Sequence, residues 1–152
     1  PASDMKLFKF SLTKVLEYKE MVQNIESNIL KEMKDNHNRL LRELDALVEQ
    51  YQKGKEELIR KSRQGATVSE LKAEGEYLSY LQEQINLKQL EIRKSEQSIE
   101  IQIAKLTKVK TEKASIERLK EKEFKAYKFL EQKENEVYID EFVSNASLRP
   151  TY

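Results

Sequence analysis

"KSRQGATVSEL", Lys61–Leu71, is a stop signal followed at once by a start signal. Gly65 has no Cβ to forbid positive φ, so it can end a helix in the left-handed conformation. Thr67 and Glu70 then spell T-x-x-E, a capping box that opens the next helix. On both sides the chain reads as helix. Prolines occur only at Pro1 and Pro150, so proline forbids helix nowhere between them. The reading is therefore all-α: a long antiparallel two-helix coiled-coil hairpin, with one helix over 12–62, a turn over 63–67 and a second helix over 68–144. The hairpin forms a single domain over 5–145. Residues 1–4, "PASD", are read as an appended tail ahead of a native start at Met5.

Working outward from the turn, the second helix carries an apolar seam at Leu71, Leu78, Leu81, Ile85, Ile92, Ile99, Leu106, Val109 and Ile116. Lys88, Ser95, Gln102 and Lys113 interrupt it. Alternating steps of 3 and 4 are the spacing of a coiled-coil seam. On the first helix the apolar stripe runs Val15, Tyr18, Val22, Ile25, Ile29, Met33, His37, Leu40, Leu44, Leu47, Tyr51, Gly54, Leu58. Its consecutive steps of 4 between Ile25 and His37 read as a stutter. Ser11 is the expected N-cap, with Phe10 and Val15 as a hydrophobic staple. Folding at residue 65 sets residue i opposite about 130 − i, so the second helix overhangs the first.

Composition narrows the function. Ala, Glu, Lys, Leu and Arg make up 77 of 152 residues, the mark of a long helix or coiled coil. Charged residues are 36% of the chain but the net charge is only +1, which speaks against a dedicated nucleic-acid binder, whose affinity comes from clustered Lys and Arg. With no Cys there is no disulfide framework or thiolate metal site. The sole histidine, His37, sits on the seam stripe without partners for a triad or a metal site. Neither a phosphate-binding glycine loop nor a nucleophile motif is present. No cofactor and no catalytic residue is expected, and no apolar run approaches the roughly 18 residues of a membrane span.

Three features remain as interaction sites. The overhang, Arg118–Val143, holds Phe124, Tyr127, Phe129, Tyr138 and Phe142, five of the chain's twelve aromatic residues. Burial of such side chains stabilises by roughly 1.5–3 kcal/mol each, so an uncovered set implies a docking surface. Near the turn, Tyr77, Tyr80 and Leu87 form a stripe offset from the seam, and Leu41, Val48 and Ile59 form another on the first helix. The third is "FKF", Phe8–Phe10.

"FKFSLTKVLEYKE" at the start, "GATVSELKAEGEYLSYLQEQI" after the turn and "IERLKEKEFKAYKFLEQKENEVYIDEF" near the end together resemble the FliJ family, the small soluble component of the flagellar type III export apparatus. The resemblance implies a rotary-ATPase stalk-like hairpin in the cytoplasm, peripheral to the membrane only through its partners. Those partners would be the hexameric export ATPase, the cytoplasmic domain of the export gate's large membrane subunit, and export chaperones. Carried onto this chain, Phe8, Phe10, Phe124, Tyr127, Phe129, Tyr138 and Phe142 would bind the ATPase ring. Leu47, Tyr51, Tyr77 and Leu81 would bind the gate. Gly54 departs from the family, standing where some relatives carry a large side chain. The equivalent stalk of a virulence type III system and a nucleic-acid-binding hairpin are the alternatives.

Overall fold

The computed structural model describes residues 7–148, so the reading of residues 1–4 falls outside it. It contains two helices, α1 (Thr13–Gln64) and α2 (Val68–Ser147), of 52 and 80 residues, packed against each other as a hairpin. The turn forms as its residues dictate. Gly65 has φ of 87°, the one described positive-φ position, and the Ala66 amide donates to the Lys61 carbonyl. The Glu70 amide donates to Thr67 Oγ1 at 3.2 Å, and the Thr67 amide donates back to the Glu70 carboxylate at 3.3 Å, which completes the capping box. Lys61 and Glu74 clamp the turn from its two sides at 2.6 Å.

The chain divides into two units: Asn24–Leu106, which contains the turn, and the two chain ends, residues up to Gln23 with those from Thr107 onward. In the first, Leu78, Leu81, Ile85, Ile92 and Leu106 are buried, and Leu40 answers them from α1. Three of the four polar interruptions of the α2 seam, those within this unit, find a polar partner on α1, whereas Lys113 pairs with Glu117 on α2 itself. Lys88 meets Glu43 at 2.7 Å, Ser95 Oγ lies 3.0 Å from His37 Nδ1, and Gln102 Nε2 donates to the Glu26 carbonyl at 3.0 Å and to its carboxylate. The pairs Glu43–Lys88 and His37–Ser95 lie within a turn of the expected register.

The α1 stripe needs correcting. Within this unit the seam positions are Glu26, Leu30, Met33, His37 and Leu40, an unbroken 4-3-4-3 pattern without a stutter. Ile25 and Ile29, expected in the seam, are 49% and 38% exposed, while Glu26 beside them is buried. The same one-residue offset holds in the unit of the chain ends. Leu12, Leu16, Lys19 and Gln23 are half-buried, whereas Val15 and Tyr18 face solvent. The entry to α1 also differs. Thr13 closes the entry turn, its amide and hydroxyl both donating to the Phe10 carbonyl; Ser11 takes no part.

Candidate functional site

The unit of the chain ends contains the aromatic cluster. Phe8 sets its ring edge against Phe124 at 5.2 Å and 74°, and lies 5.5 Å from Tyr127, which stacks on Phe124 at 6.5 Å. Edge-to-face and offset contacts of this kind add about 0.5–1.5 kcal/mol beyond burial. Lys128 Nζ stands over both Phe124 and Tyr127, at 5.5 and 5.9 Å. The Tyr127 hydroxyl is held above its ordinary pKa, first because it donates to the Glu131 carboxylate. Of the seven aromatic residues singled out from sequence, Phe8 thus packs against Phe124 and Tyr127 of α2, and Phe10 is buried beside it in the chain. Phe129, Tyr138 and Phe142 are 57%, 46% and 64% exposed, with Lys133 Nζ over the Phe129 ring.

In the Asn24–Leu106 unit the four residues expected near the turn divide by depth. Leu81 is 2% exposed and belongs to the seam. Leu47 and Tyr51 are half-buried, and Tyr77 is exposed. Gly54 explains how Tyr77 reaches α1. A Cβ at position 54 would come within 2.7 Å of Leu78 Cδ2 and 3.9 Å of Tyr77 Cε1, so the missing side chain is what lets this stretch of α2 approach so closely. Tyr80 and Leu87 continue the exposed strip. They precede seam residues by one, whereas Leu41 and Val48 follow them by one, so in an antiparallel pair the two stripes lie on opposite faces.

Sequence reasoning missed the acids that answer the polar seam. The Glu26 carboxyl is held below its ordinary pKa, first by the Gln102 amide, with burial opposing and Lys105 assisting at 3.3 Å. Glu43 is lowered first by Lys88 and then by Arg39, and Lys88 is raised in turn, first by Glu43. The signal that could have found Glu43 was the register, since 130 − i places it beside Lys88. These pairs fix the alignment of the two helices. Among the described residues no three His, Cys, Asp or Glu are grouped to hold a metal, and no helix is long and apolar enough to cross a membrane. A shallow groove between the helices is lined by seam residues such as Met33 and surface chains such as Arg39 and Lys94.

The distinctive surfaces of this helical hairpin are its exposed aromatic residues. The model of the flagellar FliJ protein family matches residues 8–151, and the chain belongs to that family. It is accordingly a component of the flagellar export apparatus, in a family of generally non-catalytic stalk proteins. No curated protein and no solved structure matches the chain.

Proposed function

We propose that this chain is the non-enzymatic coupling stalk of the export apparatus, working in the cytoplasm at the inner face of the membrane. Its aromatic end docks in the export ATPase ring, and the strip at Tyr77, over Leu81 and flanked by Leu47 and Tyr51, meets the cytoplasmic domain of the export gate. Export chaperones are further partners. The observation that carries the reading is the azimuth of the exposed apolar residues on α2. At about 100° per residue, Phe129, Leu130, Tyr138, Ile139, Phe142 and Val143 fall in all four quadrants of the helix, and each is at least 46% exposed. Exposed apolar side chains on every side of a helix, even interspersed with charge, favour a partner that surrounds it over one that meets a single face. A collar of subunits encloses it; a single groove does not. Phe8, Phe10, Phe124 and Tyr127 brace the base of that end.

The test is the hydrolysis rate and hexamer formation of the purified flagellar export ATPase with and without the chain. The wild-type chain should raise both. The triple variant Phe129→Ala, Tyr138→Ala, Phe142→Ala should not, while keeping its helical circular dichroism. Equal stimulation by the triple variant would overturn the docking assignment.

A further inference from the structure

One outward face of α2 carries a charge pattern that the coupling reading does not use. Arg118, Lys122, Lys125, Phe129, Lys133, Glu136 and Asp140 follow one another by 4, 3, 4, 4, 3 and 4 residues. At about 100° per residue they stay within about 40° of one line. All are exposed, Phe129 by 57%. The seam side of the same segment, with Glu123 and Tyr127, lies on the far side of the helix.

The stripe is antisymmetric about Phe129. Eleven residues to either side stand Arg118 and Asp140, and seven to either side stand Lys122 and Glu136. Laid antiparallel on itself with the two Phe129 rings at the centre, it sets each cation against an acid. The remaining correspondence, Lys125 with Lys133, opposes like charges that are already occupied. Lys125 pairs with Glu121 at 3.2 Å, and Lys133 stands over its own Phe129 ring at 5.2 Å. Lys122 and Asp140 have no ion-pair partner among the described residues.

We propose that this face is a self-recognition surface, on which a second copy of the chain pairs antiparallel about a two-fold axis at Phe129. A two-fold contact is self-complementary by necessity, and this stripe meets that requirement in both charge and its central apolar residue. Exposed ion pairs are individually weak and screened by salt, so the pair is reversible and salt-sensitive. On the docking reading Phe129 serves both contacts, and a paired copy withholds it from the ring.

Sedimentation equilibrium of the full chain at low and high ionic strength tests this. The wild type should dimerise with rising concentration at low salt and dissociate at high salt. Glu136→Lys with Asp140→Lys should weaken dimerisation by about tenfold or more, as should Arg118→Glu with Lys122→Glu. Mixing the two charge-reversed variants should restore a heterodimer, since the four cation–acid pairs at positions 118, 122, 136 and 140 are then opposite in sign again. All positions face solvent, so unchanged circular dichroism separates lost pairing from lost folding. A wild type that stays monomeric, reversed variants that dimerise as well as wild type, or a mixture that fails to pair would each overturn the proposal.

Discussion

Leu81 separates the two ways a residue near the turn can matter, and Leu81→Ala is the informative change. The substitution removes three carbon groups from a side chain only 2% exposed. At about 0.8 kcal/mol per buried methylene the transfer loss is about 2.5 kcal/mol. A residual cavity adds to this, but a seam between two helices can close by small movements, which keeps the total near the lower end of the roughly 2–5 kcal/mol seen for such changes. A loss of about 3 kcal/mol is expected, a large share of the roughly 5–15 kcal/mol that holds a domain folded. Urea denaturation followed by circular dichroism measures it, with Tyr80→Ala, at a 56% exposed site, as the companion expected to cost under about 1 kcal/mol. Gate binding should divide the same way. Tyr77→Ala should weaken it with little loss of stability, whereas Leu81→Ala should weaken it only as far as it unfolds the hairpin. If Leu81→Ala cost no more than Tyr80→Ala, the seam assignment and the burial argument would both be wrong.

Gly54→Leu should destabilise by about 1–3 kcal/mol through overpacking against Leu78; thermal melts of Gly54→Leu alone and with Leu78→Ala should show the second change recovering part of the loss. Thr67→Ala removes the hydroxyl that accepts from the Glu70 amide and should cost about 1 kcal/mol, read from the denaturation midpoint. The Glu43–Lys88 pair predicts a two-sided pH profile. Because folding lowers the Glu43 pKa, its contribution is present above the ordinary carboxylate value and lost as pH falls through the lowered one. Because folding raises the Lys88 pKa, its contribution is present below the ordinary lysine value and lost as pH rises through the raised one. Thermal midpoints of Glu43→Gln against wild type should converge at acid pH and differ at neutral pH.

The turn and the α2 seam were legible because each rests on residues with a single strong preference. Gly65 accepts positive φ, Thr67 and Glu70 cap each other, and the apolar positions from Leu78 to Leu106 keep strict heptad spacing. The first part of α1 was not legible, because apolarity alone favours Ile25 and Ile29 over Glu26. What decides the packing is Gln102 and Lys105 on the opposite helix, which satisfy the Glu26 carboxylate once the register is set. A periodicity count treats each helix alone and cannot see that partner. Among the site residues, position in the seam distinguished Leu81 from Tyr77, but that Phe8 packs onto Phe124 and Tyr127 needed the fold. Gly54 was conspicuous in the sequence as a departure, and its meaning, room for Leu78 and Tyr77, came only with the packing.

Gly65 has nothing within 4 Å of the place where its Cβ would stand, and Ser62, Arg63 and Gln64 beside it are exposed. The bend is therefore a natural handle. A fluorophore or a tether introduced at Ser62 or Gln64, on a polypeptide without native thiols, touches neither the aromatic end nor the interlocking side chains, and gives single-molecule work a point of attachment that leaves the working surfaces free.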